Sequence, residues 1–184
     1  MDRSQALELL KQNIVNENML KHSLASEAVL RAIAEHLKQD VDKWGIAGLL
    51  HDIDAEITNA DPKIHGVKGA EMLSELNIDP EIVDAIKMHN EEATGLKRTT
   101  IFQHAMAAGE TITGMITATT LVYPDKKLST VKPKSITKRM KQKAFAASVN
   151  RDTIMECEKI GIPLADFAKI CLEAMCEISD ELGL

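Results

Sequence analysis

Apolar side chains recur at three- and four-residue spacing along most of the chain, and that period predicts helices. Ala6, Leu7, Leu10 and Ile14 place one helix over residues 4–15. Leu20, Leu24, Ala28, Ile33 and Leu37 place a longer one over 18–38, with those positions facing inward. The run Trp44-Gly-Ile-Ala-Gly-Leu-Leu50 is apolar throughout, and its two glycines suit close packing on a neighbouring helix. After the turn-rich stretch 58–63, residues 65–76 read as helical again, with His65 at the start. Asp79 followed by Pro80 is an N-cap acid and a first-turn proline, so a helix carrying Ile82, Val83, Ile86 and His89 begins there. Gly95 breaks the chain, and residues 100–122 form a long apolar segment. Pro163 opens a last helix with Leu164, Phe167, Cys171, Met175, Ile178 and Leu182 on one face. No segment alternates as a strand would. The expected fold is all-α: one domain over 1–184, with a core at about 18–122 and a basic helical extension at about 125–184.

Composition narrows this picture. Only 3% of the 184 residues are aromatic against 45% hydrophobic, so the core is built from Leu, Ile, Met, Ala and Val. The formal charge of −6 argues against a nonspecific nucleic-acid binder. The charge is uneven, however. Segment 125–151 holds Lys126, Lys127, Lys132, Lys134, Lys138, Arg139, Lys141, Lys143 and Arg151 against the single acid Asp125. It reads either as a solvated face or as a phosphate-binding surface in which Lys132, Lys134, Lys138 or Arg139 leans over a site. Lys68, Lys97 and Arg98 compete for that role. Phe145 is the one aromatic in the segment, too few for a base-stacking platform. The N-terminal Met1-Asp2-Arg3-Ser4-Gln5 does not read as a signal peptide, and the apolar segment 101–122 is too rich in Thr and Gly to span a membrane. Cys157, Cys171 and Cys176 form no paired motif, so reduced thiols and a cytoplasmic location are expected.

Six histidines carry the candidate chemistry. His51-Asp52 follows an apolar helix and faces a turn, where a neutral ring nitrogen and a carboxylate suit one divalent ion. His22, His65 and His89 each lie beside apolar helical positions or at a helix end. Each taken alone reads first as a solvated or hydrogen-bonded histidine; four together weaken that reading. Glu110 is the only charged side chain between Ile101 and Val122, so it is expected to be buried, and a buried carboxylate needs a cation, either Lys or Arg or a metal. His36 lies about 21 Å along the helix from His22, and His104 is turned about 240° from Glu110, so both fall outside a common site.

The order His22, His51-Asp52, then a late helical carboxylate resembles the HD-domain superfamily of metal-dependent phosphohydrolases. Gly48-Leu-Leu-His-Asp-Ile-Asp54 looks like its eponymous motif, and His65 with Gly69, followed by His89-Asn-Glu91, is similar to the subgroup with additional histidines. The resemblance covers roughly 18–122 and implies a helical bundle of that type with the site in its interior. It implies one metal on His22, His51, Asp52 and Glu110, and a second, bridged by Asp52, on His65 and His89. Asp52 and Asp54 become the catalytic candidates, and Lys68, Arg98, Lys132 and Lys134 the substrate-binding ones; Asp54 and Glu56 either orient ligand histidines or face solvent, the first being favoured for Asp54. The family's last ligand is usually Asp; anchoring on Thr113-Gly114 puts Glu110 in its place. A Lys that one subgroup carries three residues after the motif Asp is Ala55 here.

The function implied is hydrolysis of a nucleotide or other small phosphoester, with one or two divalent ions among which Fe, Mn, Mg, Co and Zn are not distinguished. The expected partner is a small phosphorylated substrate, with no membrane and no nucleic acid. Two alternatives stay open. A di-iron oxygenase on the same scaffold would be told apart by metal identity and oxygen dependence. A non-catalytic metal-binding helical module is favoured by Glu110 and by Ala55.

Overall fold

Asp2 starts the first helix. Its carboxylate accepts from the Gln5 amide at 2.9 Å, while the Gln5 side chain accepts from the Asp2 amide, a capping box that opens α1 (Arg3–Asn13). The computed structural model describes residues 1–184, and its regular elements are all helices. Asn16 caps α2 (Glu17–His36) and Asp40 caps α3 (Val41–Leu50). A short turn, α4 (Ala55–Thr58), leads to α5 (Val67–Glu75). Asp79 and Pro80 open α6 (Pro80–His89), as their chemistry predicts. After α7 (Glu91–Thr94), Thr100 and Gln103 form a second capping box at α8 (Ile101–Leu121). A 3₁₀ turn at Leu128–Thr130, α9 (Pro133–Met140), α10 (Arg151–Ile154), a 3₁₀ stretch at Met155–Ile160, α11 (Leu164–Glu177) and α12 (Ser179–Leu182) complete the chain. No helix is long and apolar enough to cross a membrane.

α2 is the central helix, packed against α3, α8 and α11. One apolar cluster runs from Ala6 and Leu10 of α1 to Phe167, Cys171 and Leu182, so the C-terminal helices share the core of α2 and α8. The inward stripe of α2 differs from the one read from spacing. Val29, Leu30, Ile33 and Ala34 are fully buried, whereas Leu20, Leu24, Ala28 and Leu37 are only half-buried. The cause is the approach of α3. A Cβ on Gly48 would stand 2.6 Å from the Ser26 carbonyl oxygen, so only glycine lets α3 ride this close to α2. That approach draws the adjacent stripe of α2 inward. We expect Gly48→Ala to destabilise the fold by about 1–3 kcal/mol through overpacking, with the melting temperature falling by about 2–4 °C per kcal/mol. An unchanged melting curve would refute this reading of the α2–α3 contact.

Charged groups tie the periphery to this core. Glu27 of α2 is buried and accepts two bonds from Arg3, at 2.6 and 2.9 Å, and one from Arg31 at 2.9 Å. Arg139, read from sequence as leaning over a site, instead lies 4.1 Å from the Phe145 ring centroid. The three cysteines are free thiols, Cys157 and Cys171 buried.

Candidate metal centre

Three imidazoles are pinned in one sense, and a fourth stands beside them. His51 caps the C-terminal end of α3, and its Nδ1 lies 2.8 Å from the Gly48 carbonyl oxygen. His89, at the end of α6, places Nδ1 2.6 Å from the Ile86 carbonyl oxygen. A carbonyl only accepts, so each ring donates from Nδ1. His22 of α2 places Nδ1 3.0 Å from the Thr113 hydroxyl, which itself donates to the Glu110 carbonyl at 2.6 Å; the ring is again the donor. His65 Nδ1 stands 2.9 Å from Asp54 Oδ1. The Nε2 atoms of His22, His51 and His89 are thereby left as lone-pair donors, while His65 Nε2 lies 3.0 Å from Asp52 Oδ1.

Those Nε2 atoms converge in two pairs. His22 and His51 face each other at 3.1 Å, as do His65 and His89. Asp52 lies between the pairs. Its Oδ1 is 3.0 Å from His65, 3.3 Å from His51 and 3.6 Å from His89, and its Oδ2 is 3.5 Å from His22, each measured to Nε2. His22, His51 and Asp52 form one group whose ligand atoms lie within 4.8 Å of one another; Asp52, His65 and His89 form another. Facing lone pairs repel unless a cation lies between them. Two ring nitrogens about 2.0–2.1 Å from one ion stand roughly 2.9–3.4 Å apart at octahedral or tetrahedral angles. The donor set and its spacing therefore fit a divalent ion in each group.

The titration behaviour follows the same pairing. Burial, reinforced by His51, pushes His22 down to about 4. Burial and His51 do the same to His89, also to about 4. Burial opposes charging of His65, but Asp52 and Asp54 outweigh it and raise the ring to about 10. His51 moves up in the same way: burial opposes it, and Asp52 prevails. Asp52 is held well below the usual carboxylate range, against its burial, by His51, His65 and His22.

The supporting groups are local. Asp54 is fully buried and accepts from the Gly66 and Gly69 amides at 2.8 and 2.9 Å. It faces His65 from behind, with Oδ1 2.9 Å from Nδ1. His65 lies in the turn before α5, where the sequence reading had it start the helix. Gly66 takes φ +85°, which is not helical, and a Cβ there would stand 2.9 Å from His89 Cε1. The Asn90 side chain donates to the Pro62 and His65 carbonyls at 2.8 and 2.9 Å, fixing the same turn. Glu56 accepts from the Val15 and Asn16 amides and so secures the entry to α2.

Glu110 stands at the margin. Its Oε2 is 3.8 Å from His22 Nε2, and it belongs to neither compact group. Burial raises its carboxyl to about 7, against the pull of His51. His36 is exposed and His104 contacts Glu156 at 2.6 Å, so both lie apart from the centre. Thr113 and Asn90 were not singled out from sequence as site residues. Thr113 had a signal in the Thr113-Gly114 anchor, and Asn90 in its place next to His89.

The expected substrate-binding cations take other places. Arg98 is 5% exposed; it donates to Glu156 at 2.8 and 2.7 Å and to the Met88 and His89 carbonyls at 3.0 and 3.1 Å. Its guanidinium joins α6 to the 3₁₀ stretch at Met155–Ile160. Arg98→Ala leaves Glu156 with His104 alone and is expected to destabilise the protein by about 3–5 kcal/mol, read as a lowered denaturant midpoint. If stability held while only the substrate KM rose, the structural role would be wrong. Lys68 pairs with Glu71 at 3.1 Å, and Lys132 and Lys134 are exposed around the start of α9.

Comparison with known proteins agrees with this geometry. Residues 19–121 match the family model described as HD domain. Over 76 residues the chain is 41% identical to ribonuclease Y of Mycoplasma mycoides, a stretch covering 41% of this chain and 18% of that protein. It is 37% identical over 76 residues to ribonuclease Y of Lawsonia intracellularis, covering 41% of this chain and 15% of that one. An uncharacterized protein of Methanocaldococcus jannaschii is 35% identical over 94 residues, covering 48% of this chain and 54% of that one. The matched stretch thus spans only 15–18% of the ribonuclease Y relatives. With the match covering more than half of the chain, and with His51 and Asp52 at the middle of the histidine cluster, the chain belongs to the HD domain family of metal-dependent phosphohydrolases.

Proposed function

We propose that this protein is a hydrolase of a nucleotide or another small phosphoester, working with two divalent ions. The observation that carries the reading is the pair of facing Nε2 couples with one carboxylate between them. Bound there, divalent ions supply a water of lowered pKa and positive charge for the phosphoryl oxygens. His22, His51 and Asp52 hold one ion and Asp52, His65 and His89 the other, with Glu110 completing the first set. The chain's own work is orientation. Thr113 and the carbonyls of residues 48 and 86 fix three rings in the tautomer that frees Nε2, and Asp54 faces Nδ1 of the fourth. Such orienting partners typically contribute 10–100-fold to affinity or activity.

The test is phosphate release from a panel of nucleotides and p-nitrophenyl esters by protein loaded with Mn, Co, Fe, Zn or Mg in turn. We expect hydrolysis that chelator abolishes and metal restores. Metal bound without hydrolysis, or turnover that requires oxygen, would overturn the reading. A second reading is cleavage of an oligoribonucleotide. It is supported by the identity to proteins named ribonuclease Y and by the exposed Lys126, Lys127, Lys132, Lys134, Lys138, Lys141 and Lys143. A labelled oligoribonucleotide in the same panel decides between the two.

A further inference from the structure

A cavity of about 550 Å³ adjoins the metal centre, within the roughly 300–1,000 Å³ range of small-molecule sites. Asn18, Lys21 and His22 line it from α2, Thr117 and Ala118 from α8, and Leu182 from α12. The spacing explains the shared faces: residues three and four apart on a helix lie side by side. His22 belongs both to this cavity and to the first ligand group. Its side chain is 29% exposed, against 1–17% for His51, Asp52, His65, His89 and Glu110. Of the ligand-type side chains His22 is thus the most exposed, and it is the one that lines this cavity.

Lys21 is the one cationic side chain in the cavity wall. The ion-paired lysines of the protein are Lys43, Lys68, Lys97 and Lys169; Lys21 is not among them, although it is half-buried. Its ammonium lies over Gly183, 3.2 Å from where a Cβ on that residue would stand, and Gly183 takes φ +71°. A free ammonium held at the wall of a cavity that touches the metal centre through His22 is placed to meet an anion. The need is specific. Arg98 is engaged with Glu156 and leaves no guanidinium free for a phosphate.

Resting on the phosphohydrolase reading, we propose that this cavity receives the non-reacting part of the substrate and that Lys21 pairs with a second anionic group on it. The substrate class is then a phosphoester bearing a further phosphate or carboxylate, with Ala118 and Leu182 covering its apolar portion. A monoester whose remainder is neutral reaches the metal centre without using Lys21.

The test is calorimetric binding to the metal-loaded full chain, with adenosine 3′,5′-bisphosphate and adenosine 5′-monophosphate as probes. Wild type is expected to bind the bisphosphate about 10-fold or more tightly than the monophosphate, the effect of one charged hydrogen bond. Lys21→Ala should erase that difference and Lys21→Arg should keep most of it. Ala118→Leu, which leaves the charge and fills the cavity, should weaken the bisphosphate while leaving metal content unchanged. Circular dichroism verifies that each variant is folded. Equal affinity of wild type for the two probes, or a preference that survives Lys21→Ala, would overturn the proposal. The binding result is independent of turnover. A Lys21-dependent preference without hydrolysis would sink the proposed function alone, and hydrolysis indifferent to the second anion would sink this inference alone.

Discussion

Asp52→Ala is expected to abolish metal retention and hydrolysis together while leaving the helical content intact. The carboxylate stands between both histidine pairs, with oxygens 3.0 Å from His65 Nε2 and 3.5 Å from His22 Nε2, so its removal takes a ligand from each group at once. Partners that merely orient a metal ligand already contribute 10–100-fold, so loss of the shared ligand should lower metal affinity and activity by at least about 100-fold. The helices do not depend on it, since Asp52 is not one of the residues of the apolar cluster. Metal analysis of the purified variant against wild type reads the outcome. Metal content that survives the change would remove Asp52 from the centre.

The double change of His65 and His89 to Ala separates one ion from two. These rings form one Nε2 pair, 3.1 Å apart, and they share only Asp52 with the other group. His22 and His51 keep their own pins on Thr113 and the residue-48 carbonyl. At saturating metal the variant should bind half as much as wild type, and turnover should fall by at least about 100-fold, because the second ion no longer neutralises the phosphoryl oxygens. The fold is retained if the melting curve without metal shifts by only a few degrees. Unchanged stoichiometry would leave a one-ion centre, with these histidines free to contact substrate.

The parts of the fold and centre that were legible in the sequence share a physical reason. Helix starts were readable where a side chain satisfies free amides locally, as at Asp79-Pro80. The grouping of His22, His51, Asp52, His65 and His89 came from the resemblance to the HD-domain pattern; their apolar surroundings only weakened the reading of each as an isolated histidine. What was hidden depends on long-range approach. The inward stripe of α2 is set by the contact of Gly48 with the Ser26 carbonyl, which no spacing along α2 reports. Arg98 looked like any surface cation, because its partner Glu156 lies 58 residues away. The site roles of Thr113 and Asn90 act through one hydroxyl and two carbonyls, and only the folded backbone brings those within reach. Lys21 beside His22 carried no signal until α12 closed the cavity around it.

The central claim is that one carboxylate bridges two ions held by four histidines. Anomalous diffraction from crystals soaked in a single transition metal addresses it directly. The account requires two peaks, one between His22 and His51 and one between His65 and His89, about 3.5–4 Å apart with Asp52 touching both. A single peak, or two peaks of which Asp52 touches only one, would contradict it.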